Sequence, residues 1–596
     1  MKTNNRKRLA IGVVFVSGLL GQATLLAGND LTARYELTLD RGRHGGPPVY
    51  SDDFVLADAV PQHVRRFTEF SGDVSGRYIG ALAVAEQFSG KYFPELDRLV
   101  GKLVTLQKTD GHFGDPFSTN EVVNSDMALL WGNGRLLIGL LEYNCVKPSP
   151  EVLTCARRLG DCFVNLAPRF NDPAIMQKFS GDQVAVGYIC WTQIIEGLVA
   201  LNRATADEKY LRLAEAIAGN NTHLYLNQHS HGFASVLRGI LELYRVRHDK
   251  QWLKQVEAQW DRIIASGNLL PHGALPEIFR PIIAGDNDEG CSEADWLRLN
   301  LDLWAETRNP RYLENAELTL FNEFAMNQFH TGDFGHHNLT GTGVGNFGAR
   351  GWWCCTFHGL RAFPDVFRAA FHAEPTGLCY DLPVEGQGLI EGLIVQANST
   401  LEQNATVTLT VTKSDDREHT LSLRQPRWAS VLEVTLNRRP LTVTATNDSL
   451  VIRRKWNRGD TLTVHYPLRT RLVPGPLSTE FAPGSLAGQV GIMRGPWVLG
   501  VDQEHDSTLF DEPFVKNRIL LPARAGSNEI NLKAVEESIK AAPFTVPVAH
   551  LRLDYLPGGY PVQPRRTILR PIAEQTTVAD STAWVFWFDP NSEASK

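Results

Sequence analysis

The chain has 596 residues, of which 43% are hydrophobic and 21% charged, with a formal net charge of -7. This is the composition of a folded, water-soluble protein too long for one ordinary core, so two large domains are expected. So weak a negative balance excludes the basic footprint that binds nucleic acid and the polybasic patch that binds a membrane surface.

At the N-terminus, Lys2, Arg6, Lys7 and Arg8 precede an apolar stretch from Leu9 to about Leu20, with Ala23 and Ala27 as small residues for cleavage. That order is the pattern of an export signal, assigned to residues 1–28. A membrane anchor is the alternative, but the run is short for a span and is broken by Gly12, Ser17, Gly18, Gly21 and Gln22. No later segment is apolar enough to cross a bilayer. A mature chain without stable membrane insertion, exported to the periplasm or the medium, is the expectation.

From about residue 55 to 370 the period is helical, within a domain assigned to 29–375. Trp131 to Tyr143 and Ser149 to Leu166 place apolar residues at helical spacing. An internal echo organises the region: Leu201 precedes Tyr210-Leu211, Leu243 precedes Trp252-Leu253, and Leu303 precedes Tyr312-Leu313, each at the same offset. The turns between them, Ala206-Asp207-Glu208, His248-Asp249-Lys250 and Arg308-Asn309-Pro310, are polar. A repeated helical hairpin predicts an α/α toroid.

After Tyr380 the period changes to two. Thr406 to Thr412 alternates polar and apolar residues, and Leu441–Ala445, Ser449–Arg453 and Thr461–His465 repeat that character between turn residues. Gly459 in Asn457-Arg-Gly-Asp460 suits a positive φ, and Trp584 to Phe588 reads as one more strand. The fold class is therefore mainly α plus β, a helical toroid followed by a β-sandwich region over 376–596. The stretch from about 505 to 580, rich in proline and charge, has no assigned role.

Eight cysteines in an exported protein first suggest disulfides. Their distribution argues otherwise. Cys145, Cys155, Cys162, Cys190 and Cys379 are isolated, and several lie in apolar helical stretches where cysteine behaves as a small hydrophobe. Cys354 and Cys355 are adjacent, and neighbouring cysteines seldom pair with each other. Glu289 and Cys291 lie two apart in an acidic run just before a helix beginning near Ser292. Three thiols and one carboxylate suit tetrahedral zinc. Core cysteines beside a surface acidic loop are the alternative, because this spacing is a weaker zinc signature than paired CxxC elements.

Glu-x-Cys at a helix start, the Cys-Cys pair after a Gly-rich loop, the helical repeat and the trailing strands together resemble the β-L-arabinofuranosidase family, glycoside hydrolase family 127 and its relatives. Leu423-Arg-Gln-Pro-Arg-Trp428, Ile452 to Asp460 and Arg494-Gly-Pro496 resemble that family's sandwich motifs, and Arg238 to Tyr244 its helix-pair signature. The resemblance implies zinc held by Glu289, Cys291, Cys354 and Cys355, with Cys354 as nucleophile and Glu277 as acid/base. It implies retaining hydrolysis of an L-arabinofuranoside or a related sugar, with a carbohydrate as the partner. The family commonly follows the cysteine pair with Pro-Pro-Asn, whereas here Thr356-Phe-His-Gly359 stands there, which puts the sugar in doubt.

Further substrate-binding candidates are polar or aromatic residues of the same stretches. His229 and His231 lie in Gln228-His-Ser-His-Gly232, and His336 and His337 in the Gly-rich loop from Thr331 to Gly351. His358 follows the thiols, where it could orient a ligand, and Trp352 and Trp353 offer rings for stacking on a sugar. Asp295 lies one helical turn past Cys291. Solvated histidines, packed tryptophans and a solvated helix face are the structural alternatives. Two other functions share this outline: a polysaccharide lyase, which needs a base and an acidic sugar but no thiols, and a non-catalytic carbohydrate-binding protein with a structural zinc site.

Overall fold

In a computed structural model the chain is described apart from residues 1–30, 47, 61–64, 182–184, 221–222, 225, 283–285, 340–349, 447, 476–488, 508–509, 511–515, 522–530, 532, 534–544, 554–562, 581 and 591–596. The expected export signal lies outside the described residues.

The repeat detected in the sequence is a set of helical hairpins. Helices α1 (Asp73–Ser89), α2 (Asn124–Val146) and α3 (Pro150–Phe170) are followed by α4 (Ile195–Thr205) and α5 (Glu208–Asn220). Next come α6 (Ser230–Arg247), α7 (Lys250–Ser266), α8 (Gly290–Thr307), α9 (Pro310–Leu320) and α10 (Trp353–Ala369).

The three echoed turns share one local mechanism. Ala206, His248 and Arg308 each take a left-handed φ of 54–57° to end a helix. The next residue, Asp207, Asp249 or Asn309, then accepts a hydrogen bond from the backbone N–H two residues on, which opens the following helix. Leu201, Leu243 and Leu303 pack inside with Tyr210 and Tyr312, all without exposed surface.

Inner and outer helices differ as burial requires. α2 is buried from Asp126 to Leu141, and α8 from Gly290 to Leu301. By contrast α3 and α7 bury one stripe and leave the other face in water. The inner helices close a ring. A Cβ on Gly76 of α1 would come within 2.5 Å of Leu136 in α2, so the two backbones meet there. Packing continues from α2 to α4, α4 to α6 and α6 to α8. Cys291 of α8 touches Cys355 of α10 at 3.7 Å, and Phe357 of α10 meets Tyr78 of α1 edge-on at 5.1 Å. The helical region is thus a toroid whose axis is lined by polar residues of its inner helices.

Two packed sheets make up the region from Phe371 to His465. One runs Thr444–Thr446, Ser449–Lys455, Glu418–Arg424, Gly377–Tyr380, Phe371–Glu374. The other runs Arg439–Pro440, Glu433–Leu436, Thr461–His465, Thr406–Ser414, Leu393–Thr400, Gly386–Ile390. Alternate residues Val407, Leu409 and Val411 face inward with Leu421, Leu423, Leu462 and Val464, as a sandwich core requires. Gly459 takes φ +92° in its turn. The expected strand at Leu441–Ala445 is reduced to Thr444–Thr446, because Leu441 instead hydrogen-bonds Val434 at the preceding hairpin.

A further sheet, built from Thr470–Pro474, Val490–Arg494, Trp497–Asp502, Arg570–Pro571 and Trp584–Val585, belongs to the same compact unit as the toroid. Met326 packs there with Met493, Val498, Ile572, Trp584, Phe586 and Trp587, and Asn322 bonds the backbone of both Pro496 and Val498. The expected strand from Trp584 to Phe588 pairs at its two ends, Trp584–Val585 with Val501–Asp502 and Phe588 with Val490, and is interrupted between them where Phe586 and Trp587 turn into this core. Residues 516–521, 545–553 and 563–568 form strands of a fourth sheet.

Candidate active site

Backbone pairing brings distant chemistry together. Gln228–His229 pairs antiparallel with Ile278–Phe279, the Ser230 amide donates to the Glu277 carbonyl at 3.0 Å, and the Glu277 amide donates to Asn287. Pro276 bridges Asp288. Glu277, His229 and Glu289 are thereby held at one mouth of the ring, beside the N-termini of α6 and α8. The short strands Phe334–His336 and Arg350–Trp352 pair with each other and deliver the start of α10, with Cys354 and Cys355 in its first turn.

The four predicted ligands converge. One ligand atom from each of Glu289, Cys291, Cys354 and Cys355 lies within 4.8 Å of the others. Cys291 and Cys355 are fully buried and Cys354 is half-buried. All eight cysteines are free, so no disulfide competes for these thiols. Sulfur distances of 3.7 Å (Cys291 to Cys355) and 3.8 Å (Cys354 to Cys355) are hydrogen-bonding contacts between thiols. Donation from Cys291 and Cys355 holds the Cys354 thiol well below its ordinary range, while burial pushes the other two up. Three clustered sulfurs beside a buried carboxylate fit a divalent, sulfur-loving cation. The donor set suits zinc.

Charges around the cluster are arranged to tolerate it. Arg77 of α1, held by Asp73 at 2.7 Å, places Nη1 3.7 Å from the Cys291 sulfur and 3.1 Å from His231. His229 lies 3.1 Å from the Glu289 carboxylate, and Ser292 donates to the same group at 3.1 Å. Burial alone would raise Glu289, but the positive field of His229 holds it well below the usual carboxylate range. The opposite applies to Glu277. Burial and the neighbouring Glu289 charge raise its pKa, while His336 and His229 pull the other way. The two carboxylates are thus pushed in opposite directions, Glu289 toward the ionised form and Glu277 toward the protonated one.

The remaining candidates separate into two sets. His231 is not on a solvated loop. It is fully buried in the first turn of α6, where burial and Arg135 lower its pKa to about 3, so it is neutral. Its Nδ1 lies 2.7 Å from Asp295, and His358 packs edge-on against its ring at 4.5 Å with Nδ1 3.4 Å from Asp295. His231, Asp295 and His358 form a buried polar layer that positions Arg77 and the thiols. His229 is also buried, and His337 is buried behind Asp288. His336 is half-buried and Trp352 lies edge-on to it at 6.1 Å.

Trp353 is half-buried and lies 5.2 Å from Trp352, 6.1 Å from Phe67 and 5.8 Å from Phe54. Phe67 is 40% exposed at φ +63°. These rings make an aromatic cluster whose Trp352 and Trp353 directly precede Cys354 in the chain.

Sequence reasoning missed Arg77, Arg135, Asp73 and Trp131. Trp131 donates to Asp73 at 3.0 Å and lies under Arg135, whose guanidinium is 4.8 Å from its ring. The available signal was Asp73 and Arg77 at i,i+4 in a helix otherwise rich in small and apolar residues.

Comparison with known proteins agrees with this geometry. The family model of the β-L-arabinofuranosidase GH127 catalytic domain matches residues 51–367, and that of the GH127 middle domain matches 385–468. A crystal structure of a GH127 β-L-arabinofuranosidase from Geobacillus stearothermophilus T6 is similar with a TM-score of 0.66 and 16% identity, covering 93% of this chain and 98% of that one. A GH127 β-arabinofuranosidase structure is similar with TM-score 0.66 and 16% identity, over 95% and 93% of the two chains. No curated protein sequence matches the chain. At that identity the structural likeness establishes the fold alone. Among the described residues no helix is long and apolar enough to cross a membrane. The catalytic-domain match, spanning more than half of the sequence, establishes the rest: the chain is a glycoside hydrolase and belongs to the GH127 β-L-arabinofuranosidase family.

Proposed function

We propose that the chain is a retaining glycosidase that uses Cys354 as nucleophile and Glu277 as acid/base, releasing L-arabinofuranose or a closely related sugar from a glycan. The observation that carries this reading is the asymmetry of the thiol cluster: Cys354 alone is half-buried and held toward thiolate, whereas Cys291 and Cys355 are fully buried. Glu289, Cys291, Cys354 and Cys355 would hold zinc. When bound, zinc supplies a positive charge that keeps the sulfurs deprotonated at neutral pH.

The chain's own residues then account for two steps. Cys354 sulfur attacks the anomeric carbon as Glu277 gives its proton to the departing glycosidic oxygen, so a C–S bond forms and the C–O bond breaks. Glu277, now a carboxylate, takes a proton from water, whose oxygen displaces the sulfur and regenerates the thiolate. Two displacements at one carbon retain its configuration. Arg77, 3.7 Å from Cys291, offsets the excess negative charge of the thiols, and His229 does the same for Glu289. Trp353 and Trp352 offer rings on which a sugar can stack.

Arabinofuranose as the sugar rests on the family and on the names of the structural relatives, and export follows from the N-terminal pattern. The test is zinc content of the purified reduced protein beside Cys354→Ser and Glu277→Gln, with hydrolysis of aryl L-arabinofuranosides in the same samples. About one zinc at this site and loss of activity in both variants is expected. A folded wild type that turns over without zinc would overturn the assignment.

A further inference from the structure

Another cluster with metal-ligand character lies in the first hairpin of the sandwich. Strands Phe371–Glu374 and Gly377–Tyr380 form a tight antiparallel hairpin in which His372 stands directly opposite Cys379. Residues directly opposite share a face, and Glu374, two residues past His372, lies on that face as well. One ligand atom from each of His372, Glu374 and Cys379 lies within 4.8 Å of the others, and His372 Nε2 is 3.5 Å from the Glu374 carboxylate.

His372 is already oriented for ligation. Its Nδ1 is in close contact with the Asp381 carboxylate. Asp381 is buried and fixed in turn, its amide donating to Ala370 and its carbonyl accepting from Arg424 at 2.7 Å. A carboxylate on Nδ1–H fixes the tautomer that leaves the Nε2 lone pair facing outward, the arrangement that protein metal sites use to hold an imidazole ligand. Nε2 faces a carboxylate and a thiol, both electron-rich, so a cation shared by all three groups, or a proton on Nε2, balances the charge there. Solvent reaches it: the Glu374 side chain is 56% exposed and that of His372 13%.

We propose that His372, Cys379 and Glu374 bind a second zinc ion, with Asp381 orienting His372 and a water completing the coordination. Imidazole, thiolate and carboxylate together select a borderline-soft divalent ion over magnesium or calcium. The ion would tie the two strands of the hairpin together. A proton on Nε2 is the rival occupant, because Asp381 more than offsets the effect of burial and raises His372 to about 10. Zinc must displace that proton to bind.

The proposal stands independently of the active-site zinc, and metal counting separates the two. The full-length protein, loaded with zinc and freed of excess, is compared with Cys379→Ser, Cys379→Ala and Cys355→Ser by elemental analysis, with aryl glycoside hydrolysis in parallel. Two zinc ions per wild-type chain and one in each variant are expected. Both Cys379 variants should keep activity within about twofold, a change small beside the tenfold that 1.36 kcal/mol makes. In cobalt-loaded Cys355→Ser, a thiolate-to-cobalt absorption that disappears on further changing Cys379 would identify the sulfur ligand. Equal zinc in wild type and both folded Cys379 variants overturns the second site. One zinc in wild type and none in Cys355→Ser does the same while leaving the active-site reading intact. One zinc in wild type that persists in Cys355→Ser but is lost in both Cys379 variants supports the second site and defeats the first.

Discussion

Replacing Glu277 with glutamine keeps its shape and removes its proton. Glu277 is half-buried, and burial together with the Glu289 charge raises its pKa, which favours the protonated form a general acid requires. General acid–base catalysis is worth about 10²–10⁴-fold. At 1.36 kcal/mol per tenfold, that is about 3–5 kcal/mol of barrier. Glu277→Gln should therefore lower kcat/KM by about 10²–10⁴-fold on substrates with a poor leaving group. On an aryl glycoside whose phenol departs without a proton, the first step should be nearly spared and the second should become limiting. A burst of phenol followed by slow turnover is then expected in stopped-flow absorbance. The pH profile gives an independent check. Because the acid form is the active one, kcat/KM should fall as pH rises through the raised Glu277 pKa, and that limb should vanish in the glutamine variant. A loss below about tenfold on alkyl glycosides, with the alkaline limb intact, would refute the acid role.

Other perturbations address different parts of the site. Cys355→Ser removes a fully buried sulfur ligand, so the active-site zinc should be lost with at least about 10³-fold of activity, read by metal analysis and initial rates. Asp295→Asn strips the charge from a buried carboxylate that meets His231 at 2.7 Å, Ser235 at 3.0 Å and Arg298 at 3.5 Å. A cost of about 3–5 kcal/mol in urea unfolding of the toroid is expected, as for breaking a buried ion pair. Trp353→Ala should raise KM about tenfold with kcat little changed, the mark of lost sugar stacking. Equal KM values in the two proteins would return Trp353 to a purely packing role.

The helical repeat was legible because each hairpin writes the same instructions: an apolar residue before the turn, a left-handed turn residue, and an Asp or Asn that caps the next helix. Strands with strict alternation, such as Thr406–Ser414, were legible for the same reason. Trp584 to Phe588 was not, because an unbroken apolar run does not say whether it pairs as a strand or is buried as core, and here Phe586 and Trp587 are core. That Glu289, Cys291, Cys354 and Cys355 come together could be read from residue types together with the family motif. Arg77 could not, since an i,i+4 ion pair in a helix looks the same on a solvated face as in a buried one. His231 shows the converse: a histidine in a polar stretch was open to solvation by sequence, and its burial follows from the ring closing over α6.

The central claim is that sulfur of Cys354 bonds to the sugar. Glu277→Ala, mixed with an activated aryl L-arabinofuranoside and quenched in acid during the slow second step, accumulates any such intermediate. Peptide mass spectrometry should then find one pentosyl unit on the tryptic peptide holding Cys354 and Cys355, placed on Cys354 by fragmentation and absent from Cys354→Ser. Pentose on a carboxylate, or no adduct from an enzyme whose released sugar has inverted configuration, would contradict the account.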